Sequence, residues 1–326
     1  MALQTNTGVA TGKSELLAKL VAFLTNSVGW IVLDQGTTSE GAYHIFLSTG
    51  ENGNEDIYLR YGLISGAIEV RAYGFWDATT HTGYREVFLS GNSKITVQEG
   101  SNFSYWFFAN KNRVTAVTKV WGNYYCQYSG LLNRFWSDKS TKTKSALSIG
   151  TLVTCPVDDA SIFVVNQQYL ISDGPKIERI KVTAVNATAT PQTILVESLK
   201  SAYATGAKIG EDLQPVIVSG DQAPGSFTCV TRMDGWSSMY AQTGACGAAH
   251  GGLAGYADPE LRQGSTILFP WLAALNGWDC NEIRGELDGI YAHGGNATQE
   301  QLISDSAGSF RLFNLLGAGW CAIRET

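Results

Sequence analysis

The feature that most constrains the fold is a rhythm of short β-branched and aromatic runs, each cut off within a few positions by Gly, Asn, Asp or Ser. Residues 30–33, 43–47, 57–61 and 67–73 set it, and further strands are expected over 94–98, 103–109, 113–120 and 124–129. Runs this short and this interrupted build antiparallel meanders rather than long helices. The run 67–73 alternates, with Ile68, Val70 and Ala72 opposite Glu69, Arg71 and Tyr73, so one face of its sheet is expected to be buried and the other to be wet or to pair with a neighbour. Asn110, Lys111 and Asn112 form a polar turn suited to a hairpin. Composition agrees: the chain has 36 Gly and 11% aromatic residues, and only 16% of it is charged.

One segment breaks the rhythm. Leu16, Leu17, Leu20, Val21 and Leu24 fall on one face at helical spacing, so residues 13–25 are expected to form an amphipathic helix. Thr11 or Ser14 is placed to cap its start, and Asn26 and Gly29 to end it. The expected fold class is therefore mainly β (α+β): an antiparallel β-sheet domain with one N-terminal amphipathic helix.

A second module is expected within it. Residues 136–145 are polar and basic with no apolar anchor, which marks a loop and a boundary. Beyond them, strands expected over 162–165, 169–171, 177–185 and 193–196, closed by residues 204–210, suffice for a small β-barrel or sandwich. The division is an N-terminal arm (1–12), the first part of the main domain (13–150), the inserted module (151–218) and a Gly- and Trp-rich return to the main domain (219–326). The return carries strands near 227–232, 285–292, 310–314 and 320–324.

The sequence offers little for chemistry. Gly8 to Ser14 is the nearest approach to a phosphate loop, but it has three residues between its glycines where the motif needs four, and no strand is expected before it. His44, His81, His250 and His293 are dispersed, so no metal or cofactor is expected. No nucleophile elbow anchors a catalytic triad. Glu282, Glu286 and Asp288 are the most clustered carboxylates, and strand alternation around them would place them on a solvated face rather than in a cleft. No enzyme activity is expected.

Six cysteines, Cys126, Cys155, Cys229, Cys246, Cys280 and Cys321, contain no CxxC pair; they read as buried thiols or as disulfides of unassigned pairing. Phe75, Trp76, Trp106, Trp136 and Trp236 are candidates for stacking a sugar or filling a partner's pocket. The net charge of −6 argues against direct nucleic-acid binding. Neither a secretory signal nor a stretch of ~18 apolar residues is present, so assembly in the cytoplasm without a membrane is expected.

Three stretches carry a resemblance. Residues 103–120, an aromatic strand, a short Ala-Asn turn with a basic residue and a β-branched strand, followed by 124–132, resemble virion structural proteins of tailed bacteriophages. Residues 284–291 and the final strand 320–324 look like the closing part of the same proteins, and 158–215 is similar to a small β-module of many phage particle proteins. The resemblance implies a virion component of neck, collar or tail, with a homo-oligomeric ring at the head–tail junction as the preferred placement. Its implied partners are copies of itself and adjacent neck, sheath, tube or portal-side proteins. The alternative is a receptor- or glycan-binding tail, baseplate or capsid decoration module. The cysteine content departs from the pattern of these proteins.

Overall fold

The computed structural model describes residues 3–53, 55–88, 91–134, 140–210, 216–221, 226–230, 239–242, 267–276, 281–294, 297–305, 308–316 and 319–326. The fold is mainly β with antiparallel sheets and one N-terminal helix.

The chain opens with β1 (Gln4–Ala10), then α1 (Lys13–Phe23), whose last turn continues as a π-helical segment over Leu24–Val28. Leu16, Leu20 and Leu24 are fully buried, each contributing roughly 1.5–3 kcal/mol by leaving water. The start is capped differently from the expectation. Gly12 occupies the N-cap without a side-chain bond; instead Glu15 Oε2 accepts from Thr11 N and Oγ1, and Glu99 Oε1 accepts from Lys13 N. These contacts put carboxylates at the positive end of the helix. Gly29, at φ 82°, ends the helix in the left-handed conformation that a glycine adopts without a Cβ clash.

A meander follows: β2 (Ile31–Thr38), β3 (Gly41–Ser48), β4 (Ile57–Ile64) and β5 (Ala67–Tyr73), with a side hairpin of β6 (Phe75–Asp77) and β7 (Thr82–Tyr84), and then β8 (Lys94–Thr96). β2 to β5 and β8 form a five-stranded sheet in the order β2-β3-β4-β5-β8. Ile68, Val70 and Ala72 are buried while Glu69 and Arg71 are half-buried.

The main sheet starts with β9 (Phe103–Ala109), β10 (Arg113–Val120) and β11 (Asn123–Arg134). The chain then enters a separate unit: β12 (Ser140–Lys142), β13 (Gly150–Val157), β14 (Gln168–Asp173), β15 (Lys176–Asn186), β16 (Gln192–Leu199) and β17 (Lys208–Gly210). It returns as β18 (Val216–Ser219), β19 (Ser226–Val230), β20 (Met239–Gln242), β21 (Ile267–Asn276), β22 (Asn281–Gly294), β23 (Leu302–Asp305), β24 (Gly308–Leu315) and β25 (Gly319–Arg324). The spine of the main sheet runs β1-β9-β10-β11-β22-β25-β24-β23, with β18 beside β11 and β21 beside β22. The sheet is curled.

Curling gives the sheet two cores. One face packs Phe107, Val114, Ala116 and Val218 against α1 and the meander. The other gathers Trp106, Phe108, Tyr124, Cys126, Ile290, Phe313, Cys321 and Ile323. Alternation along each strand sends successive side chains to opposite cores.

The inserted unit has the strand order β12-β17-β14-β15-β16-β13. The bridge between Thr143 and Val157, with Lys144 N donating to Pro156 O and Asp158 N donating to Lys142 O, joins the two end strands and closes a six-stranded barrel. Its own core includes Cys155, Tyr169, Ile171, Val182, Ile194, Val196 and Ile209.

Three expectations are corrected. Residues 4–10 of the expected arm are a strand of the chain's own sheet, paired from Gln4 opposite Ala109 to Ala10 opposite Phe103. The barrel spans strands from Ser140 to Gly210, not 151–218, because Ser140–Lys142 pairs with β17 while Val216–Ser219 pairs with β11. Residues 162–165 are turns rather than a strand, because Asp159 Oδ1 accepts from Ser161 N and Oγ and Val164 N is taken by the Tyr169 hydroxyl.

Candidate functional site

Two hairpins shape the expected chemistry around residue 110. The β9–β10 turn is closed by Asn110 N donating to Arg113 O, and Asn110 Oδ1 accepts from the backbone N–H groups of Asn112 and Arg113. This fixes the first residue of β10, and Arg113 is 1% exposed. Its Nε donates to Asp288 Oδ2 at 2.9 Å and its Nη1 to Thr115 Oγ1 at 3.1 Å, while Asn110 Nδ2 adds a bond to the same carboxylate oxygen. Burial opposes ionisation of Asp288, yet the Arg113 charge and these bonds outweigh it and hold its carboxyl below the ordinary value. Asp288 alternates with the buried Leu287 as its spacing suggests, but its side chain is 29% exposed and paired rather than freely solvated. Glu286 accepts from Asn133 Nδ2 at 2.7 Å, and the Glu282 side chain lies outside the described residues. The three carboxylates do not converge.

The histidines stay apart as well. His44 on β3 and His293 on β22 each hold a buried Nδ1 without a hydrogen-bond partner among the described residues, and burial lowers the pKa of both. His81 is exposed and pairs with Asp34 at 2.9 Å, and His250 lies outside the described residues. Among the described residues no three His, Cys, Asp or Glu side chains gather as a metal site, and no helix is long and apolar enough to cross a membrane. The Gly8 to Ser14 stretch is divided between β1 and α1, with Lys13 Nζ donating to Ile64 O.

Of the cysteines, Cys126 and Cys321 are buried in the inner core of the curled sheet and Cys155 in the barrel. Cys126 and Cys155 are free thiols, and burial pushes Cys155 up to about 12. Cys229 lies on β19 opposite Ile217 with its side chain outside the described residues, as are Cys246 and Cys280 entirely. Among the aromatic candidates, Trp76 and Trp106 are core residues, 7% and 6% exposed, and Phe75 is half-buried against Tyr58 and Tyr84. Trp136 and Trp236 lie outside the described residues.

Among the described residues the exposed tryptophan is none of these. Trp121 is 68% exposed at the tip of the β10–β11 hairpin, with φ 51° followed by Gly122 at φ 82°. Beside this tip, Gly122, Asn123, Tyr124, Gln299, Asn314, Leu315, Leu316 and Gly319 line a shallow cleft of about 340 Å³. The Tyr124 ring already packs against Trp106 and Phe313 and carries Lys119 over it. It therefore offers a saccharide no free stacking face.

Among the described residues four strands of the main sheet have a partner on one side only, β20 beside β19 and β21 beside β22 as well as β1 and β23. Among the described residues β1 pairs only with β9, and β23 only with β24. β1 and β23 each expose an aliphatic side chain: Val9 is 48% and Leu302 51% exposed. The end strand of the five-stranded sheet repeats this, with Ile31 on β2 58% exposed. Open edges are usually guarded by charge, proline or a bulge. β1, Gln-Thr-Asn-Thr-Gly-Val-Ala, carries none of the first two, and its register with β9 runs without a break.

No protein-family model matches the sequence, and no curated protein matches it.

Proposed function

We propose that the chain is a non-enzymatic structural subunit of a tailed-phage particle that works by packing into a homo-oligomeric ring, as a neck or collar component at the head–tail junction. Its role is mechanical: the ring carries load and seals the joint against adjacent neck, sheath, tube or portal-side proteins, without contacting nucleic acid or membrane. The phage placement rests on the sequence resemblance of residues 103–120, 124–132, 158–215, 284–291 and 320–324.

Self-association rests on one structural observation: among the described residues the uncharged strand β1 and the strand β23 of one sheet each have a partner on one side only, and each exposes an aliphatic residue. Two different surfaces on one subunit give a heterologous contact, which closes a ring when the rotation between copies allows it. Main-chain pairing at such an edge supplies directional bonds, and the exposed side chains supply apolar contact.

The test is the mass of the purified full chain by light scattering across a concentration series, with negative-stain imaging of any large species. Closed rings of one size are expected. A monomer at every concentration overturns self-assembly by this chain.

A further inference from the structure

The unpaired edges of β1 and β23 match each other in bonding pattern and face. In β9, Asn110 N bonding to Arg113 O sets the phase, so the even-numbered residues from Ser104 to Phe108 bond to β10 and the odd-numbered ones to β1. Through the register, Gln4, Asn6, Gly8 and Ala10 face β9, and the main-chain groups of Thr5, Thr7 and Val9 face outward. Val9 O is indeed held from outside, by Lys19 Nζ at 2.7 Å. At the other end, Leu312 N donates to Gln301 O, so Gln301 and Ile303 face β24 while Leu302 and Ser304 turn outward.

The seven pairings along the path from β1 to β23 are each antiparallel, while β11 and β24, three pairings apart on that path, also meet in parallel at Tyr124 opposite Leu315.

The faces agree as well. Val9 lies opposite Ser104, which lies opposite Lys119 and then Tyr124, a residue of the inner core. Leu302 lies opposite Arg311 and then Ile323, a residue of the same core. Joined edge to edge, the two aliphatic side chains meet on the one face.

We infer that β1 of one copy and β23 of the next form the ring joint, paired antiparallel with Thr7 opposite Ser304 and Val9 opposite Leu302. In this register two hydroxyl side chains face each other and the two exposed aliphatic side chains become a cross-strand pair. Val9 O exchanges its bond from Lys19 for one from the Leu302 amide. The inference rests on the ring-forming reading and names its contact.

The test uses full-length Val9→Cys and Leu302→Cys variants, alone and mixed in equal amounts, oxidised after assembly and digested for mass spectrometry. Residues exchanging both bonds across antiparallel strands sit ~5.5 Å apart at Cα, within the roughly 4.4–6.8 Å span of a disulfide. The mixture is expected to yield the peptide joining position 9 to position 302, and neither variant alone a link between identical positions. Rings that form without that link, or that link position 9 to position 9, overturn the joint while leaving ring assembly standing. Wild-type protein and both variants remaining monomeric overturns the ring reading itself, and the joint with it.

Discussion

At the scale of single residues, Arg113 and Asp288 carry the highest stakes. A guanidinium that is 1% exposed is tolerated because a carboxylate 175 positions later in the chain reaches it. Gly289 follows at φ 66°, and a Cβ there would overlap the Arg113 guanidinium. Asp288→Ala leaves the buried cation without its partner and is expected to lower unfolding stability by about 3–5 kcal/mol. Replacing both residues with Met and Leu should cost less than the single change, because no charge is then stranded. Chemical denaturation of the two variants measures the difference. The Asp288 carboxyl is held below its ordinary value of 3.8. Its contribution is therefore complete above that value and is lost as pH falls below it toward the folded-state pKa. The wild type should lose stability over this acid range more steeply than Asp288→Ala. The pairing was not legible in the sequence, where spacing alone put Asp288 on a wet face; its buried partner is distant in the chain and reveals itself only through the sheet register.

At the scale of elements, the runs of β-branched and aromatic residues were the dependable signal, and every strand they marked in the first 130 residues formed. The stripe of leucines likewise located the helix, though its caps came from Glu15 and Glu99 rather than from Thr11 or Ser14. Residues 162–165 look like a strand by composition, but Asp159 and Tyr169 satisfy the local backbone in a turn. β1 is the opposite case: Gln, Thr, Asn, Thr and Gly show no alternation, and only the neighbouring β9 edge makes them a strand. Its alternating bonds allow a sharp test by proline, which removes an N–H wherever it is placed. Asn6→Pro removes a donor that faces β9 and should destabilise the monomer by roughly 1–3 kcal/mol. Thr7→Pro removes one that faces outward. It should leave the thermal midpoint of the subunit nearly unchanged while weakening assembly in the light-scattering series. Equal thermal losses in the two variants would contradict the phase assigned to β1.

At the scale of the whole molecule, the barrel and the main domain have separate cores and touch lightly. Lys208 bridges to Asp56 at 2.8 Å, and Arg85 donates to the carbonyls of Gly174 and Pro175 at 3.5 and 3.3 Å. The chain leaves the main sheet after β11 and re-enters it as β18, which pairs antiparallel with that same strand at Ser129 opposite Val218. The points of exit and return are thus neighbours, the arrangement in which a domain can be inserted or removed with little effect on its host. The sequence showed the insertion through the polar stretch 136–145, but not its limits, because the short strand Ser140–Lys142 has no apolar pattern and is defined by its partner β17. Replacing residues 140–210 with a short Gly/Ser linker should give a main domain that still unfolds cooperatively, and the excised 140–210 segment should fold alone as a β-rich unit, both by circular dichroism and thermal melting. Since β1 and β23 lie in the main sheet, the shortened chain should also form rings of the same stoichiometry. Rings lost on excision, with the main domain still folded, would move the joint onto the barrel.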